Sequence, residues 1–251
     1  MRRSLALLVL LACCAVLVVS VLTRSGLTVI DQPVLHFMLT HRTAELTEFF
    51  RAATQLGGTV ASSIVITGVA VCSLLRRWWL RAAQVAVAGL GAWVLVVVGK
   101  AVTDRRRPPV ADQVGVLENL SFPSGHALGS TVAAYLVVVL TFALTASRAW
   151  RAGVVSLAAV YVIVIGLSRL YLGVHWATDV LGGWAIGAAW ATVCVCFLPL
   201  SAEPALAAAA ASPHRPALPE EDAVTEPAER GADRAGGDGR GTGIAADEQD
   251  Q

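Results

Sequence analysis

The sequence has 251 residues, of which 56% are hydrophobic and only 15% are charged, a composition too apolar for an ordinary soluble domain. Its formal net charge of +1 conceals an asymmetry, because residues 1–200 carry 15 basic and 7 acidic side chains and residues 201–251 carry 4 basic and 11 acidic ones. The acidic segment is neither basic nor aromatic, which argues against nucleic acid as a partner.

Six long apolar runs predict helices that span a membrane. Each has 17 to 21 residues, about the length that a bilayer core of roughly 30 Å requires at ~1.5 Å per helical residue. The runs are 4–22, 59–75, 82–99, 127–146, 152–168 and 180–200. We therefore predict an all-α, polytopic membrane protein whose six spans form a bundle. Gly183 and Gly187 form a small-xxx-small pair in the last run, which predicts close packing of that span against another.

The first run follows Arg2 and Arg3, as the apolar part of a signal peptide also follows basic residues. It continues to Leu22, whereas the apolar part of a signal peptide has roughly 7–15 residues. We interpret it as an uncleaved span, and a cleaved leader that ends near Cys13 is the alternative. The five cysteines of the chain all lie inside apolar runs, so neither a disulfide framework nor a cysteine metal site is expected.

Residues 23–58 form the longest connection of the membrane body. Asp31 is interpreted as the cap of a helix that has Pro33 in its first turn. Farther along, apolar residues between positions 46 and 53 recur at helical spacing beside charged ones. This pattern predicts one or two short helices in the membrane interface, which either pack over the end of the bundle or cover a substrate.

Residues 201–251 are rich in Ala, Pro, Gly and acidic residues and contain almost no large apolar side chain. Such a segment cannot bury enough apolar surface to offset its ordering entropy, so we predict a disordered tail. The expected organisation is a membrane domain over residues 1–200, followed by this tail.

A polar segment between the last two spans contains Arg169, His175 and Asp179. If the chain is helical from Trp176 onward, His175 and Asp179 share one helix face. The carboxylate can then accept a hydrogen bond from the N–H group of one imidazole nitrogen. The other nitrogen is left free to act as a base or a nucleophile. Arg169 can offer a fork of donors to an anion. The alternative is a pair of interfacial charges that cap a helix.

A second polar segment, between the third and fourth spans, contains Lys100, Arg105, Arg106 and Arg107. Cations that extend to the lipid headgroups are the simplest interpretation of such a cluster, and we assign Arg105 and Arg106 to that role. This interpretation does not explain why Lys100 is the only lysine in the chain.

A third polar segment begins the fourth span with Ser124, Gly125 and His126. Ser124 is a natural N-cap, and Gly125 has no side chain to block a close approach. The free N–H groups of a helix start therefore make it a candidate anion site. The alternative is a plain capped helix with an interfacial histidine.

Six spans place all three polar segments on one face of the membrane. A charged residue costs roughly 2.5–3.5 kcal/mol at the centre of a spanning helix, so charged residues cluster where function or water requires them. The residues that can converge are Lys100, Arg107, Ser124, His126, Arg169, His175 and Asp179. Three cations, a helix start and two histidines predict a site for a tetrahedral dianion, phosphate above all.

These residues also resemble the signature of a known family. The motifs are Lys-x6-Arg-Pro from Lys100, Pro-Ser-Gly-His from Pro123 and Ser-Arg-x5-His-x3-Asp from Ser168. Together they resemble the three-part signature of the type-2 phosphatidic acid phosphatase family, which includes lipid phosphate phosphatases and is related to vanadium haloperoxidases. The resemblance covers roughly residues 20–200, and order and spacing agree in all three parts.

The resemblance implies a role for each site residue. The implied phosphate ligands are Lys100, Arg107, Ser124, Gly125 and Arg169. His175 would attack phosphorus and form a phosphohistidine, with Asp179 orienting its ring. His126 would protonate the leaving alcohol and then activate water. Three fixed cations supply the charge stabilisation that phosphoryl transfer needs, so neither a metal ion nor a cofactor is expected.

The resemblance further implies a phosphatase of the cell membrane that hydrolyses a lipid phosphate or pyrophosphate. Candidate substrates are phosphatidic acid, phosphatidylglycerol phosphate and a polyprenyl diphosphate such as undecaprenyl pyrophosphate. A lipid phosphotransferase with an alcohol acceptor and a non-enzymatic lipid carrier or scaffold of the same fold are the alternatives. The sequence identifies no protein partner that the phosphatase or either alternative would require.

Basic residues predict the orientation in the membrane. With the three implied cationic phosphate ligands set aside, the face opposite the site carries 7 basic residues and the site face carries 5. The positive-inside rule then predicts both termini in the cytoplasm and the site on the extracytoplasmic side.

Overall fold

A computed structural model describes residues 2–197, which form eight α-helices and, within that range, no β-strand. The helices are α1 (Arg2–Thr23), α2 (Asp31–Thr40), α3 (Ala44–Gln55), α4 (Thr59–Leu75), α5 (Trp79–Thr103), α6 (Gly125–Leu144), α7 (Arg148–Tyr171) and α8 (Ala177–Phe197). This architecture confirms the all-helical class predicted from the apolar runs. The predicted tail, residues 201–251, lies outside the described residues.

Helices α5, α6, α7 and α8 are each long and apolar enough to cross a membrane. The number rises to as many as six if each of two bent helix pairs counts as one span: Leu7–Thr23 with Gly26–Thr40, bent by 72°, and α3 with α4, bent by 42°. Large apolar side chains point outward, as at Leu90 and Leu157, which are 69% and 70% exposed. A membrane protein is thereby supported, and the count of six spans stays a prediction.

The central helix is α6, which packs against α4, α5, α7 and α8. Two glycines of α8 allow a very close approach: a Cβ atom at Gly183 would lie 2.8 Å from the carbonyl oxygen of Ser124, and one at Gly187 would lie 2.9 Å from that of Leu128. The close packing predicted for this glycine pair is therefore confirmed. It brings the first turns of α6 and α8 together, and the Ser124 amide donates to the carbonyl oxygen of Asp179 at 3.1 Å.

The turn after α7 depends on a glycine. Gly173 has a φ of +67°, and a Cβ atom there would lie 2.3 Å from the carbonyl oxygen of Asp112. Only glycine adopts this backbone conformation in so little space without strain. The turn leads the chain from Arg169, in the last turn of α7, to His175, just before α8.

The structure corrects two details of the sequence interpretation. Asp31 does not cap α2; it is the first helical residue, and Ile30 occupies the N-cap position without a side-chain hydrogen bond. Lys100 and Arg169 lie inside the last turns of α5 and α7 and not in connections between spans. The end of an apolar run was used to predict the end of each span, and such a run ends at the first charged residue. A helix can continue past that residue, because the partly negative carbonyl groups of its last turn favour a cation.

Candidate active site

His175 lies in the connection between α7 and α8 and is only 3% exposed. Its Nδ1 lies 3.3 Å from Asp179 Oδ2, and its Nε2 lies 3.1 Å from Arg107 Nη1. Because a guanidinium group can only donate, the Nε2 atom accepts from Arg107 and the proton of the neutral ring resides on Nδ1. The arrangement therefore fixes both the tautomer and the orientation of the imidazole.

Burial also sets the protonation state of His175. Loss of hydration lowers the pKa of the ring to about 4, although the Asp179 carboxylate acts in the opposite direction. Burial outweighs the carboxylate because it removes most of the water that would stabilise the imidazolium. His175 is consequently neutral at pH 7, with an unprotonated Nε2.

Asp179 is fully buried and accepts hydrogen bonds at both carboxylate oxygens. Its Oδ2 accepts from the backbone amide of Trp176 at 2.9 Å and from the Ser121 hydroxyl. The contact with Trp176 is that of a capping box, in which the third residue of a helix bonds back to the N-cap amide. Its Oδ1 accepts from Arg105 Nη1 at 2.7 Å. The carboxylate that orients His175 is thus itself held in place by hydrogen bonds to both of its oxygens.

Arg107 follows α5 and uses all three of its guanidinium nitrogens within the protein. The Nε atom donates to the Asn119 carbonyl oxygen at 2.7 Å, and Nη2 donates to Asn119 Oδ1 at 2.6 Å. The Nη1 atom donates to the Val174 carbonyl oxygen besides its contact with His175. Burial lowers the pKa of this guanidinium, with Asp179 acting against the shift. Arg107 is therefore a rigid cation beside the reactive nitrogen of His175.

Lys100 and Arg169 use fewer of their hydrogen-bond donors within the protein than Arg107 does. The Lys100 ammonium donates to the Leu120 carbonyl oxygen at 2.6 Å, which leaves two of its three donors free of described partners. Arg169 is 5% exposed, and its Nη1 donates to Thr54 Oγ1 at 2.7 Å. The Arg169 Nε atom is buried and has no hydrogen-bond partner within residues 2–197. These cations retain donors for a ligand.

His126 lies in the first turn of α6, after the N-cap Ser124, whose hydroxyl accepts from the Ala127 amide at 3.5 Å. The His126 ring has no hydrogen bond to any residue in the described range. It lies within electrostatic range of all the other charged or titratable groups of the predicted site except Asp179. The Gly125 amide, at the start of the same helix, lacks an intrahelical acceptor and is available to an anion.

The structure thus brings all eight predicted site residues to one end of the bundle, although their roles stay predictions. It also adds five residues that the sequence interpretation did not assign to the site: Asp31, Thr54, Arg105, Asn119 and Ser121. The assignment of Arg105 to the lipid headgroups is wrong, because its side chain points inward and donates to Asp179. Within residues 2–197, no three His, Cys, Asp or Glu side chains form a group that could bind a metal ion.

Comparison with known proteins is consistent with this geometry. A family model described as the PAP2 superfamily matches residues 78–202. The chain is 36% identical over 131 residues to decaprenylphosphoryl-5-phosphoribose phosphatase of Mycobacterium tuberculosis, an alignment that covers 50% of this chain and 64% of that relative. It is 34% identical over 149 residues to phosphatidylglycerophosphatase B of Bacillus subtilis, covering 57% of this chain and 70% of that relative.

A solved structure shares the fold. The crystal structure of a transmembrane PAP2 type phosphatidylglycerolphosphate phosphatase from Bacillus subtilis superposes with a TM-score of 0.63 at 26% sequence identity. The superposition covers 78% of this chain and 96% of that chain. The similarity therefore extends over most of the described helices, whereas the family match begins at residue 78, after α4.

Proposed function

This chain belongs to the PAP2 superfamily, and from that premise we propose that it is an integral membrane phosphatase that hydrolyses a lipid phosphate or diphosphate through a phosphohistidine. The observation that carries the proposal is the environment of the His175 ring, with Nδ1 at Asp179 and Nε2 at Arg107. A neutral, oriented imidazole beside a fixed cation is suited to attack an anionic phosphoryl group. On binding, the phosphoryl group would take over the Arg107 donor and free the Nε2 lone pair.

In the first half of the reaction, Nε2 of His175 forms a bond to phosphorus while the bond from phosphorus to the leaving oxygen breaks. The anionic phosphoryl group, once bound, favours a protonated His126. This residue gives its proton to the leaving oxygen, and the lipid leaves as an alcohol, or as a lipid monophosphate if the substrate is a diphosphate. The positive charge that develops on the His175 ring is stabilised by Asp179, which accepts from Nδ1–H.

In the second half, a water molecule attacks the phosphohistidine. Neutral His126 takes a proton from the water, the bond between phosphorus and Nε2 breaks, and inorganic phosphate departs. His126 is again protonated and His175 is again neutral, so both groups return to their starting states. The charge and the protons balance over one cycle without a metal ion or a cofactor.

The proposed phosphate ligands differ in how ready they are to bind. Lys100 and Arg169 have free donors, and the Gly125 amide at the start of α6 adds a neutral donor. Fixed cations aimed at the phosphoryl oxygens stabilise the charge of the transition state, which is most of what phosphoryl transfer requires from a protein. Ser124, which is fully buried, keeps the helix start in place.

The substrate class follows from the position of the site and from the relatives. A site at the end of a helical bundle suits a molecule whose tail lies in the bilayer and whose phosphate lies at the interface. The relatives are named for decaprenylphosphoryl-5-phosphoribose and phosphatidylglycerol phosphate, and phosphatidic acid and polyprenyl diphosphates share their chemistry. We place the site on the extracytoplasmic side and both termini, with the acidic tail, in the cytoplasm, because the opposite face carries the larger number of basic residues not assigned to phosphate.

The direct test is phosphate release by the purified full-length protein from a panel of lipid monophosphates and diphosphates in mixed micelles. We expect release from at least one lipid, insensitivity to EDTA, and inhibition by vanadate. Addition of a short-chain alcohol distinguishes hydrolysis from phosphotransfer, since a transferase would form a phosphorylated alcohol in place of free phosphate. Strict dependence on a divalent ion would contradict the mechanism, and turnover of no lipid would favour a carrier or scaffold.

A further inference from the structure

Asp31 stands outside the family match, at the start of α2, yet its carboxylate is buried against the site. We propose that Asp31 and Arg105 are a positioning pair that fixes Asp179 and, through it, the attacking ring of His175. The inference rests on the proposed function only for its catalytic consequence, because the positioning itself can be observed in the free protein.

Arg105 is connected to both acids. Its Nη1 lies 2.7 Å from Asp179 Oδ1 and 2.7 Å from Thr178 Oγ1. Its Nη2 donates to Asp31 Oδ2. Both terminal nitrogens of the guanidinium are therefore occupied by the protein, in contrast to Arg169, which has a free buried donor. Arg105 contacts both acids and neither histidine of the site, so we treat it as a residue that acts through Asp179.

Asp31 fixes the start of α8 from a distant part of the chain. Its Oδ1 accepts from the Thr178 amide at 2.9 Å, and the Thr178 hydroxyl lies 2.9 Å and 3.0 Å from its two oxygens. The first amides of a helix have no intrahelical acceptor, so Asp31 supplies to α8 what an N-cap side chain supplies to its own helix. The same carboxylate balances the charge of Arg105, which then bridges two acids.

The consequence for catalysis lies in the orientation of the Asp179 carboxylate. Because Arg105 occupies Oδ1, the other oxygen, Oδ2, stays directed at His175 Nδ1 and the Trp176 amide. Without Arg105, the carboxylate could rotate about its terminal bond, and the contact of Nε2 with Arg107 would be left alone to favour the Nδ1–H tautomer of the His175 ring. The fraction of protein with a free Nε2 lone pair would then fall, which lowers kcat and leaves substrate binding unchanged.

A polar cavity of about 720 Å³ adjoins the pair and makes it accessible to small solutes. Asp31 and Arg105 line this cavity, together with Arg24, Arg106 and Trp176. A guanidinium side chain removed from position 105 could therefore be replaced by a soluble guanidinium compound. This access allows a test by chemical rescue.

The experiment compares R105Q with R106Q in the full-length protein. Arg106 is the adjacent arginine, is exposed and has no side-chain partner in the described region, so R106Q is the matched control. We expect kcat to fall about 10- to 100-fold in R105Q with KM within about twofold of wild type, since a hydrogen bond between charged groups is lost but no phosphate ligand is. In R105A, methylguanidinium should restore part of kcat, and R105K should retain an intermediate rate.

The second readout is the ¹⁵N spectrum of labelled histidine in the free protein at pH 7. Wild type and R106Q should show His175 as a single Nδ1–H tautomer, and R105Q and D31N should show a mixture of tautomers. An unchanged tautomer in folded R105Q, or loss of activity through KM alone, would overturn the inference. If the wild-type protein releases phosphate from no lipid, the proposed function fails, and the tautomer measurement still decides whether the pair positions His175.

Discussion

The two histidines of the site differ in their exposure and in their hydrogen bonds. His175 is buried, and both of its ring nitrogens have partners, Asp179 and Arg107. His126 is partly exposed, and its ring has no hydrogen bond to residues 2–197. The cations follow the same division, because Arg107 is fully engaged with the protein whereas Arg169 keeps a free buried donor.

The division matches two kinds of chemical work. A nucleophile must present one lone pair in one direction, so hydrogen bonds that fix its tautomer and orientation are useful before substrate arrives. A general acid and base must exchange protons with the substrate and with water, so its nitrogens must be available to those partners. Under the proposed function, the His175 half of the site would therefore hold the nucleophile in one orientation, and the His126 half would exchange protons with the substrate and with water.

The largest effect should come from H175A, which removes the group that we propose forms the covalent bond. We expect kcat to fall by about 10³-fold or more and the labelled phosphoenzyme to be absent, because no other described imidazole has a fixed free nitrogen beside Arg107. The measurement is phosphate release together with trapping of protein labelled from a ³²P-lipid by an alkaline, denaturing quench, because the bond between phosphorus and nitrogen is hydrolysed in acid.

H36A is the matched control, since His36 is an exposed histidine on α2 without a side-chain hydrogen bond. It should retain the wild-type rate and the label. Full turnover in H175A, with membrane insertion intact, would remove His175 as the nucleophile and with it the distinction between the two halves.

A smaller loss, with a different signature, is expected for H126A. Removing a general acid and base costs about 10²- to 10⁴-fold. The nucleophile remains, so a diphosphate substrate, whose leaving group needs little protonation, should still phosphorylate His175. The labelled intermediate should then accumulate because water is no longer activated, and rapid-quench labelling would detect it. Equal loss of label in H126A and H175A would show that the two histidines act as one unit.

The sequence alone predicted the all-helical class and the residues that the structure brings together at one end of the bundle. Lys100, His126 and Asp179 each lie directly beside a long apolar run, and charged or titratable residues there are costly enough in a membrane to be informative. Their spacing also places them at span ends on one face, which the structure reproduces. The family assignment, which rests on the same motifs, is confirmed by the match to residues 78–202 and by the Bacillus relatives.

The supporting contacts could not be predicted because they join distant parts of the chain. Asp31 and Thr178 are 147 positions apart, and Thr54 and Arg169 are 115 apart. These pairs form because α2 and α3 fold back over the end of the bundle, and hydrophobic periodicity carries no information about that path. Local reasoning accordingly assigned Asp31 to its own helix, a common role for an Asp at such a position, and missed its contact with α8.

The smallest expected effect concerns the protonation state of His175, which should not change over the physiological pH range. A solvated imidazole titrates near about 6.5, whereas burial lowers the pKa of His175 to about 4. Its neutral, nucleophilic form should therefore persist as the pH falls from 8 to about 5 and disappear only as the pH passes through about 4. A ¹⁵N titration of labelled histidine, with the His175 signal identified by its loss in H175A, measures this directly.

The D179N variant sharpens this last prediction because the carboxylate raises the pKa of His175 and burial lowers it. Neutralising Asp179 should therefore move the His175 transition to still lower pH. A His175 transition near pH 6.5 in the wild type would mean that water reaches the ring and stabilises the imidazolium. The nucleophile would then not be shielded from water, and the contrast between the two halves of the site would be lost.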